Sequence, residues 1–215
     1  MKKTDCHLIV FAKAPIPGKV KTRLLSSLGA KMASALHEQF VLSALNTAIQ
    51  SNVGPVELWC TPSTKHPFFI HCAEKFKVKI YQQTEGDLGI RMAHAFYETL
   101  KKNYYALLMG TDSPSLTCAD LKEAKSFLQK GTRAVIGPAE DGGYVLLGLR
   151  QYEPQLFEGV SWGTDSVLEE TRRRLRRLGW HWTELPKRWD VDRPEDVERL
   201  ISEGYLSPSY QMRNR

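Results

Sequence analysis

Six short apolar runs, set apart by segments with helical spacing, constrain this chain more than any other feature. HLIVFA (7–12), VELWC (56–60), VKIYQQ (78–83), YALLMG (105–110), AVIGP (134–138) and YVLLGL (144–149) each have the length of a buried strand. After Gly29, Met32, Leu36, Phe40, Ala44 and Ala48 step by four residues and share one helical face. LGIRMAHAFYETLKK (88–102) reads as another helix, and Thr117 with Asp120 makes a capping-box-like start to one running towards Lys130. SVLEETRRRLRRLG (166–179) ends at glycine, and Pro194 opens a last helix, PEDVERLIS. WHWTELP (180–186) and RWDVD (188–192) are short extended pieces. Strands alternating with helices in this way predict an α/β domain with a largely parallel, covered sheet.

At 215 residues the chain can bury a full core without disulfides or a structural metal. It shows no repeat, low-complexity segment or linker, so we expect one domain over residues 1–206 and a frayed tail at 207–215. No apolar run approaches the length of a membrane span. The N-terminus lacks the long apolar region and cleavage site of a signal peptide. Cys6, Cys60, Cys72 and Cys118 form no CxxC pair. Together these features predict reduced thiols and a cytoplasmic protein.

Ligands of such folds bind beyond the carboxyl ends of the strands. Four polar loops fall there: FAKAPIPGKVKTRL (11–24), EGDLG (85–89), TDSPS (111–115) and EDGGY (140–144). The first sets Lys13, Lys19, Lys21 and Arg23 around two prolines and Gly18, with no acid. Its charges, and the helix start that follows, suit a di- or triphosphate. It is neither a Walker A loop nor a GxGxxG turn. Asp112, just past an apolar strand, can hold Mg²⁺ or Mn²⁺, or can close an Asx-turn. Asp190 and Asp192 are two apart in an extended piece and face the same way. One of them is expected near the metal, while Asp192 can instead cap the helix at Pro194. Gly142 and Gly143 admit a substrate against the backbone or mark a hairpin. Asp87 can meet a base, a ribose or a phosphate-bound metal, or cap the helix at Leu88. Trp162 can line a pocket or simply pack.

The net charge of +6 is concentrated in the opening loop and in RRRLRR (172–177). Glu169 and Glu170 lie within helical reach of Arg173 and Arg174, which predicts a solvated ion-paired face. No RRM-like, KH-like or zinc motif accompanies it, which argues against nucleic acid as a partner. HExxH, GxSxG and Cys–His signatures are missing too, so nothing points to a hydrolase nucleophile.

KAPIPGKVKTRL, QTEGDLGIRM, GTDSPSLT, GPAEDGGYVLLGL, SWGTDSVLEET and WDVDRPEDV, in that order, resemble the DUF2064 family. That family is glycosyltransferase-A-like, related to molybdenum cofactor guanylyltransferase and 2-phospholactate guanylyltransferase. The resemblance spans about residues 8–200. It implies a Rossmann-like glycosyltransferase-A (nucleotide-diphospho-sugar transferase) fold: a mostly parallel, mixed sheet of about seven strands with helices on both faces. It implies a nucleotide phosphate loop at Ala12, Lys13, Pro17, Gly18, Lys19 and Arg23, with Asp87 and Gly89 on the base or ribose side. Asp112 matches the metal-binding aspartate, in a TDSP setting that is not a literal DxD. Asp190 or Asp192 matches a later metal-proximal position. Gly142, Gly143, Tyr144, Trp162 and Thr164 match the acceptor side. The expected activity is metal-dependent transfer from a nucleoside triphosphate or nucleotide-sugar to a small acceptor, assisted by Lys19, Arg23 and Asp112, with Mg²⁺ or Mn²⁺. Nucleotidyl transfer leads, glycosyl transfer follows, and a non-catalytic nucleotide-binding module is the rival. The sequence leaves monomer and homodimer open.

Overall fold

The apolar run HLIVFA lies in the interior of the sheet, with strands on both sides. In the structure, a computed structural model that describes residues 4–206, it extends to Thr4–Lys13 as β1. β1 pairs in parallel with β2 (Val56–Thr61) on one side and β4 (Asn103–Met109) on the other. Outside β2 lies β3 (Lys79–Gln82). Beyond β4 come β6 (Tyr144–Leu149), β5 (Ala134–Pro138) and β7 (Trp182–Glu184). The sheet therefore has seven strands in the order β3-β2-β1-β4-β6-β5-β7. β6 runs antiparallel to both of its neighbours, and the remaining pairings are parallel.

Successive residues of β1 feed opposite faces, as the two-residue period of a strand requires. Leu8 and Val10 face a core built with α1 (Leu25–Ser51), α2 (Pro67–Phe76) and α4 (Cys118–Gln129). Ile9 and Phe11 face a second core with α3 (Leu88–Leu100) and α5 (Val167–Arg177). Helices thus cover both faces, as a sheet of near-continuous apolar strands demands. The four-residue ladder of α1 holds, and Gly29, at φ 70°, kinks the helix where the sequence marks its start. The capping box of Thr117 and Asp120 forms as expected. α2 is the one helix that the sequence reading does not contain. Its buried residues are Phe68, Phe69 and Cys72, too few positions for a helical period to stand out.

A third, smaller apolar cluster positions the site. Leu24, Leu28, Leu36 and Phe40, from the entry and first half of α1, pack against Trp189, Val191, Val197 and Leu200. The last two belong to α6 (Pro194–Ser202). This cluster clamps the WDVD segment against the basic loop, more than 160 residues away in sequence. No helix among the described residues is long and apolar enough to cross a membrane. The expected frayed tail at 207–215 lies outside the described residues.

Candidate active site

From β1 the chain proceeds to β2 and β3 on one side, then returns to place β4 on the other side of β1. The loops after β1 and β4 must therefore diverge, leaving a crevice at the carboxyl ends of the strands. The β1 loop is held by a tight turn: the Lys19 amide donates to the Ile16 carbonyl (2.9 Å), and Gly18 takes a φ of 78°. Lys13 and Lys19 are exposed at its rim, and their side chains make no ion pair among the described residues. Lys21 differs from both. Its backbone is left-handed (φ 47°), a conformation that disfavours side-chain-bearing residues. The result is an inward side chain, only 3% exposed.

Asp112 receives it. The Lys21 ammonium lies 3.0 Å from Asp112 Oδ1, and His37 Nδ1 lies 3.5 Å from the same oxygen. His37, buried on α1, is oriented by a hydrogen bond from Nε2 to the Lys13 carbonyl (3.0 Å). Oδ1 is fully enclosed, yet the Asp112 side chain is 43% exposed, so its open part faces the crevice. Burial works against ionisation here, but Lys21 and His37 outweigh it and hold the carboxyl far below the usual range. The Asx-turn alternative for Asp112 is not what forms, because its side chain is turned to Lys21 and His37.

The WDVD segment completes the crevice because TDSPS grips it. The Val191 amide donates to the Asp112 carbonyl (2.9 Å), and the Ser113 and Ser115 hydroxyls donate to the Trp189 carbonyl at 2.8 and 3.0 Å. Val191 points into the third cluster, so Asp190 and Asp192 both turn the other way, as their spacing predicts. Asp192 Oδ1 shares Lys21 at 3.3 Å, and its Oδ2 meets Arg23 at 3.2 Å. It does not cap α6; Asp196 does, accepting from the amides of Asp192 (2.9 Å) and Arg193 (2.7 Å).

Asp190 takes a different position, on the wall of a cavity of about 220 Å³. Phe11, Met92, Tyr144, Trp162 and Val167 supply much of that wall, with Asp141 as the other carboxylate. Burial first, then Asp141 and Asp192, push the Asp190 carboxyl up to about 7. Gly142, at φ 91°, could not carry a Cβ, which would lie 2.1 Å from the Asp165 carbonyl oxygen. It closes the β5–β6 connection against the loop before α5, where the Leu168 amide donates to its carbonyl (2.9 Å). The Gly143 amide donates to Asp141 Oδ1 (2.9 Å). Tyr144 meets Trp162 edge-on (6.4 Å, 90°). The Trp162 indole nitrogen is buried without a hydrogen-bond partner among the described residues.

The structure separates the remaining candidates. Ala12 is buried in β1, while Pro17 stands exposed on the turn. Asp87 caps α3, accepting from the Ile90 amide (2.9 Å). Gly89 lies under Trp162, and a Cβ there would come within 2.2 Å of the indole nitrogen. The Thr164 hydroxyl is engaged with the Ser161 carbonyl (2.7 Å) and the Ser166 hydroxyl (2.8 Å). Lys21, His37 and Asp141 enter the site without having been singled out from sequence. Lys21 was visible only as one of four cations, and His37 only as a histidine one position beyond the helical ladder residue Leu36.

Residues 44–164, more than half of the chain, match the family model described as "Uncharacterized protein conserved in bacteria (DUF2064)". The chain belongs to the DUF2064 family. No protein of curated function matches it. Among solved structures, it is similar to a Desulfovibrio desulfuricans G20 protein provisionally described as a nucleotide-diphospho-sugar transferase. That pair is 30% identical, with a TM-score of 0.85 over 97% of this chain and 93% of that one. More distant structures share the fold. One is a CMP:2-keto-3-deoxy-manno-octonic acid synthetase complexed with CTP: 13% identity, TM-score 0.56, 94% of this chain and 100% of that one. Another is Rv0371c from Mycobacterium tuberculosis H37Rv in complex with manganese: 15% identity, TM-score 0.55, 94% and 100%. This DUF2064 chain therefore has the nucleotide-diphospho-sugar transferase type of fold that its motifs imply.

Proposed function

We propose that this DUF2064 protein is a metal-dependent nucleotidyltransferase that uses a nucleoside triphosphate and a small-molecule acceptor. The observation that carries the reading is the arrangement of Asp112. One of its oxygens is fixed by Lys21 and His37 while the carboxylate opens into a crevice rimmed by unpaired Lys13 and Lys19. The CTP bound to one structure of this fold and the manganese bound to another support a nucleotide and a divalent ion as the natural guests.

The residues fit such an ion. Asp112 and Asp192 already share one cation, the Lys21 ammonium, between them. Among the described residues, no three His, Cys, Asp or Glu side chains form a ready cage. Two carboxylates, with substrate phosphates and water as further ligands, suit Mg²⁺ or Mn²⁺. Asp192 is our choice over Asp190, because it shares a cation with Asp112 and Asp190 faces the cavity. When bound, the metal would neutralise and align phosphate oxygens.

The chain's own groups do the rest. Lys13, Lys19 and the backbone turn at Gly18 bind the phosphates. The 220 Å³ cavity receives the acceptor, with Tyr144 and Trp162 as its aromatic wall. An acceptor oxygen attacks the α-phosphorus, the bond to the bridging oxygen breaks, and pyrophosphate leaves. Lys19 and Arg23 neutralise the charge that develops on the leaving group. Asp190, at the boundary between cavity and crevice, takes the acceptor's proton. No protein nucleophile is needed. Burial pushes the thiols of Cys6 and Cys72 up to about 12 and about 11, which makes them inert. The cysteines are free, in keeping with a cytoplasmic setting.

A second reading, glycosyl transfer from a nucleotide-sugar, is favoured by the provisional description of the 30% identical relative. One experiment addresses both readings. The protein is incubated with each nucleoside triphosphate and a panel of nucleotide-sugars, with Mg²⁺ or Mn²⁺ and candidate alcohol and phosphate acceptors. Release of pyrophosphate supports our reading, release of a nucleoside diphosphate supports the second, and nucleotide binding without turnover overturns both in favour of a binding module. Asp112→Asn is expected to keep the fold and lose metal-dependent thermal stabilisation by nucleotide. Unchanged stabilisation would remove Asp112 from the metal site.

A further inference from the structure

We propose that Lys21 is a built-in competitor of the divalent metal: its ammonium holds the cation position between Asp112 and Asp192, and the metal enters only as Lys21 leaves. The inference rests on the metal-dependent reading above.

Three oxygens surround the ammonium. It donates hydrogen bonds to Asp192 Oδ1 at 3.3 Å and to the Val191 carbonyl at 2.5 Å, and it stands in ion-pair contact with Asp112 Oδ1 at 3.0 Å. The Phe40 ring centroid lies 5.5 Å from the same atom. The side chain is 3% exposed, whereas Arg23, two residues on, is 60% exposed. The backbone beneath it is left-handed, a conformation that Lys pays for and Gly would not. A strained backbone that delivers a buried cation to two carboxylates has the character of a constrained functional position.

A divalent ion needs the same oxygens. Mg²⁺ binds carboxylate oxygens at about 2.0–2.1 Å, so an ion shared by Asp112 and Asp192 would stand within contact distance of Nζ. Like charges at that range, in a partly desolvated site, exclude one another. Lysine is suited to yielding, since its charge is a compact point on a flexible four-carbon stem. The loop that carries it also carries Lys19 and Gly18, so an ammonium released from the carboxylates remains beside the phosphate position. Metal entry then moves one positive charge from the protein's acids towards the donor. The apparent metal affinity of the resting protein is lowered by the fraction of time that Lys21 holds the site.

The test is a Mn²⁺ titration of the full chain, read from the electron paramagnetic resonance of free Mn²⁺ and without nucleotide. It compares wild type, Lys21→Met, Asp112→Asn and the Lys21→Met/Asp112→Asn double variant, with circular dichroism to check the fold. If the carboxylates are uncovered less than about a tenth of the time, Lys21→Met binds Mn²⁺ at least about tenfold tighter than wild type. The double variant then loses that gain. Lys21→Gln, which keeps a donor for the Val191 carbonyl, serves if the methionine variant does not fold, and the same direction is expected. Equal or weaker binding by the Lys21 variants, with Asp112→Asn still weakening the wild-type site, would overturn the competitor while leaving the metal site in place. No Mn²⁺ binding by wild type or by either Lys21 variant would overturn both.

Discussion

The loop at 13–23 and helix α5 each gather cations, yet their charges are used in opposite ways. On α5, the two glutamates of the same helix, together with Glu184 of β7, pair with four of its five arginines. Arg172 pairs with Glu169 and with Glu184 of β7, Arg173 and Arg174 with Glu170, and Arg176 with Glu169. Val167, Leu168 and Leu175 bury the other face. The helix is a solvated, ion-paired face, as its sequence predicts, although Glu169 meets Arg172 and Arg176 rather than Arg173, and Glu170 meets Arg173 as well as Arg174. In the loop, Lys13 and Lys19 make no ion pair among the described residues, and Lys21 and Arg23 are matched to acids that come from distant parts of the chain. A count of positive residues does not distinguish the two clusters. What distinguishes them is whether the neutralising acids lie mostly on the same helix or arrive on loops from distant parts of the chain.

This contrast can be broken most sharply by nucleotide binding. Lys19→Ala/Arg23→Ala should lower triphosphate affinity by at least about 100-fold, since each charge-assisted contact contributes on the order of 1.5–3 kcal/mol. Arg173→Ala/Arg176→Ala should leave it within about twofold. Isothermal titration reads both, and a comparable loss from the α5 pair would erase the distinction.

A smaller effect separates the electrostatics of the two regions. Asp190 carries a carboxyl pushed up to about 7 from its ordinary 3.8, so the folded protein holds a proton that the unfolded chain has already released. Its contribution is favourable below the ordinary value and is lost as pH rises towards 7. In metal-free buffer, Asp190→Asn should flatten this slope and raise stability at pH 8 by about 1–2 kcal/mol after solvent screening. Chemical denaturation at pH 5 and pH 8 checks it, and an unchanged slope would remove Asp190 from its crowded position.

The smallest effect belongs to α5. Glu170, held below the usual carboxylate range first by its bond to Arg173, contributes above that range and loses its contribution as pH falls. Glu170→Gln should cost only about 0.5 kcal/mol, and less at high salt. A loss several times larger would show that the α5 pairs hold the fold and do not merely solvate its surface.

The order of the elements and most of their limits were legible in the chain. β5 and β6 run where AVIGP and YVLLGL place them, and Gly29, which the sequence marks as the start of the long helix, is the kink near its beginning. The four site loops were legible too, because a strand's end and a run of polar, glycine- or proline-marked residues coincide. α2 was hidden because its N-cap is His66, outside the Ser, Thr, Asp and Asn set that announces a helix start. The open choice at Asp192 was resolved by contacts that no local pattern encodes, since Asp196, and not Asp192, caps α6.

By itself the sequence determined an α/β sheet with phosphate-friendly cations on one loop and carboxylates on two others, because apolar periodicity and turn chemistry are local properties. Only the tertiary structure decided which cation meets which acid. Lys21 reaches Asp112 and Asp192 because the third apolar cluster docks residues 189–200 on the start of α1, and because a left-handed backbone turns one lysine inward while its neighbours stay outside. Burial and charge pairing depend on what the rest of the chain brings to a point in space, and spacing along the chain does not carry that information.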